Sequence, residues 1–198
     1  MTNSTNNIEA VDTIIENSQV TPLLRDEIDQ YQVAYEIQKG DIHTTLSLLK
    51  NAGWIQLSYL SAIDWPEENK MELIYILFNW EQPVYVQIRS KIDRRKPEVP
   101  SIIQIFPGAK YYEREAHEFF GIDFPGNPDF DKQLILENWD DIPPLRKDFD
   151  PSSYSKKKFP SRTYPDQFSK KDPDNKTREK QTEREKRANK LRTGGGKR

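Results

Sequence analysis

The sequence predicts an α+β fold: a small, mainly antiparallel sheet packed with two or three helices, followed by an extended loop and a disordered C-terminal tail. Three observations lead there. Periodicities run helix, strand, helix and then consecutive strands, which favours a layered α+β arrangement over a doubly wound parallel sheet. Four prolines between Phe124 and Pro144 rule out a long helix in that stretch. Only six of the 48 residues after Asp150 are apolar, too few to offset the entropy of ordering them. The expected division is therefore 1–150 for a folded body with a docking segment, and 151–198 for a basic tail.

The elements follow in order. Ile8, Val11, Ile14 and Ile15 recur at helical intervals, so "IEAVDTII" predicts a short amphipathic helix. Tyr31, Val33, Tyr35 and Ile37 alternate as in a half-buried strand. In "GDIHTTLSLLKNAG", Asp41 stands where an N-cap belongs, Ile42, Thr45, Leu46 and Leu49 share a face, and Gly53 occupies the position after the helix end. "WIQLSYLSAID" predicts a strand ending at Asp64-Trp65-Pro66. "MELIYILFNW" and "PVYVQIRSKI" flank the turn "NWEQP" and predict an antiparallel hairpin. "PSIIQIF" is a further strand candidate. In "GAKYYEREAHEFFG", Tyr112, Ala116, Phe119 and Phe120 form an apolar helical stripe that Gly121 terminates.

Composition removes several function classes. There is no cysteine, which excludes disulfides, thiolate nucleophiles and Cys-held iron–sulfur or zinc centres on this chain. No apolar N-terminal segment follows a basic region, so no signal peptide is expected. The longest apolar run, Leu73–Phe78, falls far short of the ~20 residues of a membrane-spanning helix. Charge is divided unevenly. Residues 151–198 hold 16 Lys/Arg against 6 Asp/Glu, leaving 14 against 26 in residues 1–150. Such a tail suits an acidic protein surface or anionic lipid, and "KTREKQTEREKRANKLR" could turn helical on a partner. Nucleic acid is a poor fit, because aromatics are sparse in the tail and the body is acidic.

Spacing also decides among chemistries. Glu113 and Glu115 lie two apart on a helix and project about 200° from each other, so they do not converge as an acid–base pair. Glu113 and His117 share a face, with Asp123 or Asp129 as the only further ligand candidates; an exposed Glu–His contact is the plainer reading. No phosphate-binding glycine loop or nucleophile elbow is present. What stands out is Arg114 between two glutamates, with Glu118 a turn later, on a charged face opposite the stripe. The other feature is "PPLRKDF" (143–149), read as an extended, proline-held strip suited to docking.

The two segments carrying these features, "YYEREAHEFFGIDFPGNPDF" and "LILENWDDIPPLRKDF", resemble the C-type subunit of complex I, the NADH:quinone oxidoreductase family. The similarity runs from about Ile28 to Phe149. It implies a non-catalytic structural subunit of the peripheral arm of a membrane-bound, proton-translocating complex. Such a protein carries no cofactor, the iron–sulfur clusters and quinone residing in its partners. Those partners would be the large quinone-site (D-like) and iron–sulfur (B-like) subunits, on the cytoplasmic side of the membrane. Related complexes on the same plan are membrane-bound hydrogenases and complexes oxidising a reduced deazaflavin or ferredoxin. The rival class is a free-standing binding module with a recruiting tail. The resemblance implies no catalytic, cofactor or metal residues, and a partner interface of Glu113, Arg114, Glu115, Glu118, Asp129, Pro144, Leu145, Arg146, Lys147 and Asp148. Three positions depart from the family pattern: Asn127 for the usual His, Asp131 for a basic residue and Tyr111 for Trp. Asn127 hydrogen-bonds but does not titrate near neutral pH, so no proton-linked role carries over to it.

Overall fold

The computed structural model describes residues 3–159. Met1–Phe149 make one compact unit, and Asp150 begins a second. The first unit contains α1 (Asn3–Glu16), β1 (Leu24–Asp29), β2 (Gln32–Glu36), α2 (Ile42–Asn51), β3 (Gln56–Trp65), β4 (Lys70–Phe78), β5 (Tyr85–Asp93) and α3 (Ala109–Phe120). The strands form one sheet in the order β1-β2-β5-β4-β3. All neighbours are antiparallel except β2 and β5, which run parallel because the chain crosses over through α2, β3 and β4 before β5 returns beside β2.

Strand alternation sorts this sheet into two faces. Leu60 and Ala62 of β3, Met71, Leu73, Tyr75 and Leu77 of β4, and Val86, Ile88 and Ile92 of β5 are all buried. They join one core with Val11 and Ile15 of α1, Leu46 and Leu49 of α2, and Ala116 and Phe120 of α3. Their intervening neighbours face outward, with Tyr59, Trp65 and Tyr85 exposed. α2 ends in the glycine-dependent double bond of a Schellman motif. The Gly53 N–H reaches Lys50 O and the Trp54 N–H reaches Leu49 O, with Gly53 at φ +107.

Four local expectations change. Asp41 occupies the N-cap of α2 but its side chain caps nothing: a 3₁₀ turn (Lys39–Asp41) runs into the helix and leaves Asp41 in helical dihedrals. β1 has no counterpart in the sequence pattern, since all six of its residues are exposed and only backbone pairing to β2 makes it a strand. "PSIIQIF" is not a strand. Its Ile102 carbonyl accepts from Ile105 and Phe106 in a turn, and loops rather than strands bury Ile102 and Phe106. Lastly, order continues past Asp150: Pro151–Lys158 form α4, whose N-cap Asp150 accepts the N–H groups of Ser152 and Ser153, with Pro151 at the first helical position. The rest of the tail, with the expected partner-induced helix, lies outside the described residues.

Candidate functional site

The charged motifs of the sequence meet around α3. Ala109, Glu113, Ala116 and Phe120 are the buried residues of this helix, at successive helical intervals. Glu113 thus lies in the core-facing stripe, not on the charged face, and its exposure is 0%. Its Oε1 accepts the Ile102 N–H at 2.7 Å. Its Oε2 accepts the Ser101 hydroxyl at 2.7 Å and the Asn127 amide at 2.9 Å. Burial pushes this carboxyl above the ordinary glutamate range, against the pull of those three donors. The carboxylate ties the 101–102 turn and the loop after α3 to the helix. It makes no contact with His117, whose Nδ1 lies 3.0 Å from Ile122 O and 3.2 Å from Asp123 Oδ1. Both the solvated Glu–His pair and a partner-facing Glu113 are therefore corrected.

Asn127 is buried and bonded on both ends of its amide. Nδ2 donates to Glu113 and to Lys110 O, while Oδ1 accepts the Asp129 N–H. Asp129 in turn bridges Lys110 and Lys132, each at 2.5 Å, and these two ammonium groups draw its pKa down to about 2. Arg114 and Glu118 work outward from the same helix. The Arg114 guanidinium donates to Lys132 O and Gln133 O. The Glu118 carboxylate accepts three consecutive backbone N–H groups, from Leu134, Ile135 and Leu136. One helix face thereby fixes the loop that has no regular structure of its own. Glu115 points to solvent.

The segment "PPLRKDF" is not an extended strip. The Arg146 N–H bonds to Pro143 O and the Phe149 N–H to Arg146 O, giving two successive turns. Pro144 occupies the second position of the first turn, where its fixed φ favours turning. Its backbone groups are not free either. The Leu145 N–H reaches Phe119 O, and the Lys147 N–H reaches Asp64 Oδ2 at 2.9 Å. The Arg146 Nε donates to Phe120 O at the end of α3. Gly121 makes this approach possible: it sits at φ +73, and a Cβ there would come within 3.0 Å of both Arg146 Nη2 and Pro143 Cγ.

Asp64 anchors the far side. Its buried carboxylate receives the Arg94 guanidinium in a two-pronged contact at 2.6 and 2.9 Å, and Arg94 also pairs with Asp148. Burial alone would raise the Asp64 pKa; the hydrogen bonds from Arg94 and Lys147 outweigh it, and the net shift is downward. Sequence reasoning passed over Asp64, Arg94, Ser101 and Lys110. Asp64 did leave a signal. It shares the two-residue phase of Leu60 and Ala62, an acid in the buried register of a strand. Arg94, 30 residues away, left none.

Among the described residues no helix is long and apolar enough to span a membrane, and no group of three acidic or His side chains could hold a metal.

The geometry sits in a recognisable lineage. Residues 35–155 match the family described as "Respiratory-chain NADH dehydrogenase, 30 Kd subunit". The C-type subunit of the NADH-quinone oxidoreductase of Moorella thermoacetica is 36% identical over 102 residues, covering 52% of this chain and 68% of that protein. The C-type subunit of the F(420)H(2) dehydrogenase of Methanosarcina mazei is 31% identical over 119 residues, covering 56% and 68%. Among solved structures, a chain of the membrane-bound sulfane sulfur reductase, an archaeal respiratory membrane complex, superposes with a TM-score of 0.70 at 30% identity. That likeness covers 81% of this chain and 96% of the other.

Proposed function

Since the chain belongs to the respiratory-chain NADH dehydrogenase 30 Kd subunit family, we propose that it is a structural subunit in the peripheral arm of a membrane-bound oxidoreductase complex. Electron transfer and ion translocation take place in its partners, which hold the iron–sulfur clusters and the quinone. One observation carries the structural role. Three charged side chains of the family motifs are spent on the chain's own backbone, Arg114 and Glu118 on residues 132–136 and Arg146 on Phe120, and Asp64 of β3 holds the Lys147 N–H in the same way. A reaction centre needs groups aimed at a substrate. These groups instead stiffen an irregular loop into a defined surface.

That surface is the docking face in this reading. It presents Glu115, exposed Leu145, Lys147 and Asp148, with Arg146 and Pro144 fixing their backbone. Its partners are the large quinone-site subunit and the neighbouring iron–sulfur subunit, on the cytoplasmic side of the membrane. The basic tail, residues 151–198, supplies a separate attachment to an acidic protein surface or anionic lipid.

A second reading concerns the donor and acceptor. The similarity to an F(420)H(2) dehydrogenase subunit and to a sulfane sulfur reductase chain fits a complex whose substrates are neither NADH nor ubiquinone, with the same scaffold role. Isolation of the tagged chain from native membranes tests both readings. Co-purification of iron–sulfur subunits is expected, and Arg114→Ala or Arg146→Ala should reduce their recovery while the chain stays folded. If assembly is intact and only turnover falls, the scaffold reading is wrong. Recovery of a lone chain without iron supports the free-standing module.

A further inference from the structure

At the opposite end of the sheet from β3, β1 is an edge strand, so alternate backbone N–H and C=O groups along its outer side face away from β2. Among the described residues nothing pairs with that outer side, and its side chains are unusual for such an edge. Leu24 and Ile28 are 53% and 44% exposed; Leu24 and Asp26 lie on the face away from the helices, and Ile28 is the unpaired residue of the bulge that follows. Arg25 and Glu27 point to the helix side, where Arg25 pairs with Asp12 of α1.

Beside this edge runs a groove of about 280 Å³ between the end of α1 and residues 22–25, whose lining includes Ile15, Pro22 and Leu23 together with Glu16, Tyr35 and the Asp12–Arg25 pair. With Arg25 held by Asp12, Glu16 is the groove's carboxylate with no cation bound to it among the described residues. Taken together, α1 and β1 carry Glu9, Asp12, Glu16, Asp26, Glu27 and Asp29 against the single cation Arg25. Glu16 is the final residue of α1, where a carboxylate opposes the helix dipole and costs stability. Charge at an edge can serve merely to repel other strands. That role explains Asp26 and Glu27. It does not explain a groove with apolar walls and an acid beside them, two exposed aliphatic side chains, or an acid at the wrong end of a helix.

We propose that this edge receives an extended basic segment of a partner protein of the complex, added as a sixth strand beside β1 with a lysine or arginine directed to Glu16. The bulge between Glu27 and Asp29 interrupts the register and limits the added strand to the stretch alongside Leu23–Glu27. The inference rests on the subunit role proposed above and adds a second contact, distant from the α3 loop.

The chain has no cysteine, so Ile28→Cys places a single thiol at the edge for a maleimide–benzophenone cross-linker in the native complex. Photolysis should attach a Lys/Arg-rich peptide of another subunit, identified by mass spectrometry. Separately, Glu16→Lys combined with Asp26→Lys should lower incorporation into the complex at least tenfold at low salt. Glu16→Lys alone removes the conflict with the helix dipole, so its melting temperature should hold or rise and unfolding does not account for the loss. Recovery of the wild-type chain alone overturns the subunit role and this inference with it. An intact complex with no cross-link from position 28, a cross-link to a second copy of this chain, or full incorporation of the double charge reversal overturns this inference alone.

Discussion

Removing the Glu113 carboxylate is the sharpest test of how the motif helix organises its surroundings. Glu113→Ala leaves the Ser101 hydroxyl, the Ile102 N–H and the Asn127 amide without their acceptor in a site closed to water. Each orphaned buried donor costs roughly 1–3 kcal/mol. These terms do not add fully, so about 3–5 kcal/mol is expected, a large share of a typical folding free energy. At about 2–4 °C per kcal/mol for a chain of this size, the melting temperature should drop by roughly 10 °C.

Glu113→Gln should fall between wild type and alanine. The amide oxygen must take the Oε1 position, because a backbone N–H cannot become an acceptor. The new NH₂ then faces Ser101, whose hydroxyl can rotate to accept, and Asn127, whose amide cannot turn without losing Asp129. One buried donor is left unmet. The pH dependence adds a second readout. Burial holds the folded carboxyl above its unfolded value, so the folded state binds the proton more tightly. This contribution to stability therefore falls as pH rises from the ordinary glutamate value through the raised one. Glu113→Gln should flatten that slope. Thermal unfolding followed by circular dichroism between pH 4 and 8 measures both effects. If Glu113→Ala melts within about 2 °C of wild type, or the slope survives in Glu113→Gln, the reasoning fails.

Other perturbations probe the remaining joints. Gly121→Ala combines a left-handed backbone with a Cβ pressed on Arg146 and Pro143; it should cost about 1–2 kcal/mol by denaturant unfolding and expose residues 143–149 to protease. Asp64→Asn keeps the acceptor for Lys147 but removes the charge facing Arg94, so a loss of roughly 2 kcal/mol is expected at pH 7. Because the Asp64 pKa is lowered by folding, that difference should shrink as pH falls through and below the ordinary aspartate value, and chemical denaturation at several pH values reads it directly. Glu118→Gln should speed hydrogen exchange at the amides of Leu134, Ile135 and Leu136, roughly fivefold for about 1 kcal/mol lost, while exchange within β4 and β5 stays unchanged.

Local periodicity was sufficient wherever burial and chain geometry repeat together. The α1, α2 and α3 stripes, the β3 and β4 strands and the Gly53 and Gly121 helix ends are all written in short windows, because a residue's phase in its own element decides which face it shows. The α+β class and the family motifs follow from the same windows. Three things were settled only by tertiary structure. β1 exists because β2 offers it backbone partners, and six exposed side chains leave no apolar pattern to read. "PPLRKDF" turns because Phe119, Phe120 and Asp64 accept its donors, and those acceptors come from elements 26 to 83 residues distant. Glu113 is inside because Ser101, Ile102 and Asn127 converge on it. A lone glutamate among charged neighbours looks solvated in sequence; three donors supplied from two loops are what make its burial tolerable.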